Sequence, residues 1–160
     1  VVLRLTNHPP DYLVGRRVGR VAFAVYAADH LVDRTGPPQA GGLAAYPWLG
    51  FTDGPGAAWL DAWLAEHAPG ARYALRIDDN ARARERAVTA GTGVFFLPCI
   101  EGDALPAVQR ISPIIEEHAH DVWLLTLREL RTTARVRAFL DLMGAAFSEA
   151  EDRLAGRTKA

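Results

Sequence analysis

Apolar and polar positions along the chain change period repeatedly, and the changes predict an alternation of strands and helices. Val1-Val2-Leu3-Arg4-Leu5 is β-branched and apolar from its first position and reads as a strand. Thr6-Asn7-His8-Pro9-Pro10-Asp11 is a turn-rich loop, because each Pro removes a backbone donor and fixes φ. Residues 13–18 and 21–26 predict two further strands, the second a continuous apolar run of the kind buried on both faces. A short helix over 27–34 ends at Gly36-Pro37-Pro38, and a loop through Gly41-Gly42 leads to the strand Trp48-Leu49-Gly50-Phe51. Asp53-Gly54-Pro55 opens a helix over 56–67, with Trp59, Leu60, Trp63 and Leu64 on one face, stopped by Pro69-Gly70. Residues 72–77 alternate as a strand. Asp79 or Asn80 is the expected N-cap of a helix ending at Gly91. Residues 94–97 read as another buried strand, broken by Pro98, followed by strands near 108–111 and 121–126. A long helix over 132–147 places Val136, Phe139, Leu140, Met143 and Phe147 on one apolar face.

Strands alternating with helices predict an α/β class with a mostly parallel sheet. The apolar strands 21–26 and 94–97 bracket a middle block with its own strands, helices and aromatic residues. The simplest architecture is two α/β lobes joined by two crossover strands, one lobe interrupted in sequence by the other. The chain opens inside a strand with no initiator Met and no signal pattern, which suggests that a segment precedes it. Residues 149–160 are polar and read as a frayed tail.

Composition narrows the function classes. With 160 residues, 49% hydrophobic and 23% charged, the chain suits one globular domain with a substantial core and not a disordered or low-complexity segment. No apolar run approaches the ~20 residues of a membrane span. The 18 basic and 19 acidic residues nearly cancel, so the chain lacks the basic footprint of a nucleic-acid binder. A single cysteine, Cys99, excludes an internal disulfide and a multi-cysteine metal site.

An ordered set of motifs carries a resemblance over essentially the whole chain. Val2-Leu3-Arg4-Leu5, Leu13-Val14-Gly15-Arg16-Arg17-Val18 and Val25-Tyr26-Ala27 come first, then Pro47-Trp48-Leu49-Gly50-Phe51 and Ala58-Trp59-Leu60. Ala90-Gly91-Thr92-Gly93-Val94-Phe95-Phe96-Leu97-Pro98-Cys99, Val122-Trp123-Leu124-Leu125-Thr126 and the stretch from Leu130-Arg131 to Phe139-Leu140 complete it. In order and spacing they resemble the effector-binding domain of LysR-type transcriptional regulators. The resemblance implies a type 2 periplasmic-binding-protein-like fold, with lobe one over 1–26 and 100–147, lobe two over 27–99, and a C-terminal tail over 148–160. It implies that lobe one is incomplete, and that a helix-turn-helix DNA-binding domain, a linker helix and the start of lobe one precede Val1. It further implies a cytoplasmic, side-by-side homodimer or tetramer, a small-molecule effector held between the lobes, and contact with DNA only through the absent domain. A secreted solute-binding protein for small-molecule uptake is the alternative on a similar fold; a signal peptide upstream in place of a helix-turn-helix distinguishes it.

In two-lobe α/β folds a ligand binds beyond the C-terminal ends of strands, against helix N-termini that favour carboxylates. The candidate effector-binding residues are therefore Arg4, Leu5 and Thr6 at the end of the first strand, Phe51, Thr52 and Asp53 before the Gly54-Pro55 helix start, Asp78, Asp79 and Asn80 before the next helix, and Pro98 and Cys99 at the end of the second crossover strand. An arginine there can hold a carboxylate bidentately, which makes a carboxylate effector the expectation. Each has a plainer reading. Asp53 and Asn80 serve equally as N-caps, Arg4 as the partner of a carboxylate in a preceding segment, and Cys99 as a small buried filler with no neighbouring charge to activate it.

No other constellation carries chemistry. Glu116-Glu117-His118-Ala119-His120 reads as a solvated loop and not a metal site, since no further His or Cys is spaced to complete one. The two serines, Ser112 and Ser148, lie in no nucleophile turn, and Gly91-Thr92-Gly93 is too short for a phosphate loop. Trp48, Trp59 and Trp63 fall at core spacing. Arg131, Arg135 and Arg137, with Asp141 in reach of Arg137, read as a solvated helix face. No enzyme, no cofactor and no metal are expected.

Overall fold

In the computed structural model, which describes residues 1–78 and 80–158, the chain divides into two compact units. Unit 1 holds Val1–Phe23, Pro98–Ile100 and the residues from Ile114 onward; unit 2 holds Ala24–Leu97 and Glu101–Pro113. The expected lobes differ from these units at 24–26, 98–99 and 101–113, the last of which joins unit 2 through the antiparallel pairing of Val108–Arg110 with residues 26–28.

Unit 1 is built on a three-stranded sheet in the order β1-β8-β2, from β1 (Val2–Leu5), β2 (Leu13–Val21) and β8 (His120–Leu127). Both pairings are antiparallel, with Arg4 and Arg17 flanking Trp123 from either side and a register shift between Arg17 and Gly19. Helix α6 (Ala134–Glu149) and the short α7 (Glu151–Leu154) pack on β2. Their core joins Val21, Val122 and Leu154, with Val18, Phe23, Ile100, Phe147 and Ala150 packed against it. Arg16 latches the helix: its Nη2 donates to the Leu140 carbonyl at 2.7 Å and lies 3.7 Å from Asp141. Gly144 leaves room for that guanidinium, which a Cβ there would strike.

Unit 2 contains the sheet β6-β3-β7, from β3 (Phe23–Ala28), β6 (Phe95–Pro98) and β7 (Val108–Arg110), with β3 and β7 antiparallel. A second pair, β4 (Pro47–Phe51) and β5 (Arg72–Ile77), is parallel, and Trp48 bridges to Val94 in parallel. Its helices are α1 (Asp29–Thr35), α2 (Pro38–Gly41), α3 (Gly54–His67) and α4 (Ala81–Thr89), while the short α5 (Cys99–Gly102) begins in unit 1 and ends in unit 2. β3 is the spine: Ala24 to Ala28 are fully buried. Trp48, Trp63 and Phe96 meet with ring centroids 4.8–5.9 Å apart and Trp59 closes on Phe96 at 5.2 Å, so Trp48 and Trp63 are core, as their spacing predicts, and Trp59 is half-buried at its edge. Tyr26 donates to Asp103 at 2.7 Å and Asp103 pairs with Arg110, a buried network that fastens the 101–113 segment to β3.

Five expectations are corrected. The sheets are not mostly parallel: β8 runs antiparallel to both β1 and β2, and β7 antiparallel to β3, while β4 and β5, joined by α3 as the long crossover that parallel neighbours need, run parallel. The polar tail is helical through Leu154, whose 5% exposure and carbonyl bond from Ala22 N–H (2.8 Å) tie it to the core. Phe139 is 44% exposed while Val136, Leu140, Met143 and Phe147 are half-buried, so the packed face of α6 is narrower than its pattern. Asp141 reaches Arg16 of β2 instead of Arg137. The 116–118 segment is a one-turn 3₁₀ helix whose His118 lies on the Phe23 ring and not in solvent.

Gly102 packs against the buried Tyr26 ring, where an added Cβ would collide. Gly102→Ala therefore lowers the free energy of unfolding by about 1–3 kcal/mol, the usual cost of overpacking, in a denaturant titration; an unchanged midpoint contradicts this packing.

Candidate functional site

The parallel pair β4–β5 places its two C-terminal ends side by side, with Phe51 opposite Ile77. The Thr52 N–H continues the ladder to the Ile77 carbonyl at 3.2 Å, and the Thr52 hydroxyl donates to Asp78 Oδ1 at 2.7 Å. Phe51, Thr52 and Asp78 are thus brought together, at the turns from which α3 and α4 depart. Helix N-termini beside strand C-termini carry the positive ends of the helix dipoles.

The two N-cap candidates behave differently. Asn80 caps α4, its side chain accepting from the Ala83 N–H at 3.0 Å. Asp53 stands at the N-cap position of α3 but its side chain accepts no cap bond, which corrects the capping expectation. The local irregularity is Gly54, which follows Asp53 at the start of α3 with φ of 84° and departs from the helical backbone that a first-turn residue normally adopts. The positive end of α3 is left without its own side-chain cap. Asp79 lies outside the described residues.

Two arginines that sequence reading passed over frame this strand end. Arg84, one turn along α4 from Asn80, places its guanidinium 4.8 Å over the Phe51 ring and 5.4 Å from the centre of Phe95. Arg76 donates to the Phe51 carbonyl at 2.9 Å and lies 4.2 Å over the Tyr73 ring. Tyr73 in turn donates to Asp61 at 2.5 Å, and its phenol is pushed above the ordinary tyrosine range by burial first and then by the hydrogen bond and charge of Asp61. The only signal for Arg84 is its helical offset from Asn80, since its ring partners come from two other strands.

The remaining candidates lie in unit 1. Arg4 and Leu5 are exposed on β1, opposite Trp123 and Val122. Thr6 continues the strand, its N–H bonded to the Asp121 carbonyl at 2.9 Å, and its hydroxyl is engaged locally with His8, accepting from N–H at 3.1 Å and donating to the carbonyl at 3.2 Å. Pro98 ends β6, and Cys99 is fully buried with its N–H on the Ala22 carbonyl at 2.8 Å, a packed position. Among the described residues no group of three or more His, Cys, Asp or Glu is placed to hold a metal ion. No helix among them is long and apolar enough to cross a membrane.

Asn80→Ala removes the α4 cap and costs about 1 kcal/mol of stability, read in a denaturant titration; Asp53→Ala, which removes no cap bond, leaves stability within about 0.5 kcal/mol. Equal losses in both variants contradict this assignment.

Comparison with known proteins follows the same outline. The family model described as the LysR substrate binding domain matches residues 1–148. Among solved structures, the regulatory domain of CrgA, a LysR-type transcriptional regulator from Neisseria meningitidis, is similar at 20% identity and a TM-score of 0.67, over 91% of this chain and 74% of that one. The regulatory domain of Synechocystis PCC6803 CcmR is similar at 16% identity and a TM-score of 0.62, over 93% and 74%. That of AphB from Vibrio vulnificus is similar at 19% and 0.58, over 89% and 73%. Against the longer CrgA structure the chain spans 51% of the length. No curated protein matches significantly.

Proposed function

Because the chain belongs to the LysR substrate-binding domain family, we propose that it is the ligand-sensing module of a LysR-type transcriptional regulator and that its ligand is a small carboxylate. The observation that carries the reading is the strand end of unit 2. There Thr52 and Asp78 are joined, α3 presents a first turn that its own Asp53 does not cap, and the Arg84 guanidinium is held over Phe51. An anion seated there gains helix-dipole and guanidinium interactions together. In unit 1, Arg4 is the second candidate contact, an exposed cation on an exposed strand.

Similarity to regulator domains supports a sensing role over an enzymatic one. The CcmR regulatory domain was solved in complex with 2-PG, which supports a small ligand for a domain of this outline. On this reading the module works in the cytoplasm as a homodimer or tetramer and reaches DNA through a separate helix-turn-helix domain. The effector acts by binding one conformation better than another, and it shifts the balance only by that difference, typically ~1–3 kcal/mol of coupling.

The test is a thermal screen of small carboxylates. A ligand at ~100 times its dissociation constant adds roughly 2.7 kcal/mol to stability, and the shift is expected to disappear in Arg84→Met while the variant stays folded. A carboxylate that stabilises both proteins equally overturns this placement of the site.

A further inference from the structure

A cluster of titratable groups away from the ligand seat falls where the chain passes between its two units. Phe23, which begins β3, is the last residue of unit 1 before the chain first enters unit 2, and after the short return over Pro98–Ile100 the chain comes back to unit 1 for good at Ile114. The Ile115 N–H donates to the Phe23 carbonyl at 2.8 Å and ties the two passes together. Two imidazoles lie against the Phe23 ring. His118 meets it edge-on with centroids 4.7 Å apart; His120, the first residue of β8, is 5.8 Å from Phe23 and 5.3 Å from His118.

The charged groups around them are spoken for or opposed. Arg20 of β2 holds Glu116, 3.8 Å from its carboxylate and 3.3 Å from its carbonyl. Asp121 pairs with Arg17 at 3.0 Å. Glu117 favours the protonated form of His118, but burial and then the neighbouring His120 outweigh it and hold the imidazole well below its ordinary range, at about 4. Two imidazolium charges at this separation oppose each other as well.

We propose that the His118–Phe23–His120 ring cluster is a proton-sensitive seat for the first residue of the crossing strand β3. With both imidazoles neutral the phenyl ring is clasped; a proton taken up by the cluster draws the 116–118 turn toward water and loosens the strand's first residues. This goes beyond the ligand-sensing reading and does not depend on the effector. The direction follows from linkage: the unfolded chain binds a proton at His118 near pH 6.5 and the folded chain only near about pH 4. The contribution is therefore intact above pH 6.5 and is lost as pH falls toward about 4.

The test is amide hydrogen exchange on the 160-residue chain at about pH 7 and about pH 5, corrected for the intrinsic pH dependence of exchange. Protection at residues 22–25 and 115 is expected to fall about tenfold at the lower pH while the β4–β5 amides keep theirs. His118→Phe, which keeps a ring and cannot titrate, is expected to hold protection at both pH values, and His118→Ala to show low protection at both. A ring-nitrogen titration of the unaltered chain gives a reading that needs no variant: His118 is expected to titrate well below a free imidazole. Protection in the unaltered chain that does not change with pH, a fall that persists in His118→Phe, a loss spread evenly over all amides, or an ordinary His118 titration would each overturn the proposal.

Discussion

The parallel pairing of β4 with β5 is the constraint on which the candidate site depends. Parallel neighbours cannot be joined by a tight turn, so a helix must carry the chain back, and α3 does so here. The same geometry brings both strands to an end together and starts a helix from each, which gathers two dipole ends, the Thr52–Asp78 bond and the Phe51 ring within one small region. Trp48 anchors the arrangement from the opposite end of β4: it is fully buried, bridges to Val94, and donates its indole N–H to the Leu43 carbonyl at 2.9 Å. A site built on strand ends inherits its precision from such a buried core, while the loops that follow remain exposed enough to meet a ligand.

Unit 1 is held by different means. Its sheet is antiparallel and its helix α6 buries no residue completely, so polar latches take a larger share. The Arg16 guanidinium on the Leu140 carbonyl, made possible by Gly144, fixes α6 on β2, and Leu154 closes the hydrophobic cluster with Val21 and Val122. β1, by contrast, leaves Val2, Leu3 and Leu5 between 37% and 50% exposed. That contrast makes β2, and not β1, the anchored side of the sheet.

What the sequence made legible was local. The apolar run at Trp48–Phe51, the helix opened by Gly54-Pro55 and the Asn80 cap each follow from short-range signals, and the structure contains all three. The ordered motifs identified the family, which the match over residues 1–148 bears out. What escaped the sequence was long-range. Periodicity carries no information on strand direction, so the antiparallel sheet joining β1, β8 and β2 from the two ends of the chain was read as parallel. The missing Asp53 cap accompanies one irregular backbone angle at Gly54. Arg84 was passed over and His118 read as solvated loop because their partners, Phe51 and Phe95 for one and Phe23 for the other, lie far away in sequence.

The central claim, that a carboxylate is received at the paired strand ends of unit 2, is tested most directly by following backbone amide chemical shifts during titration with a carboxylate that stabilises the chain. The account predicts that the largest shifts fall on Thr52, on the first turn of α3 and on the first turn of α4. Shifts concentrated at the opposite ends of β4 and β5, around Tyr46 and Arg72, with Thr52 unmoved, would contradict it.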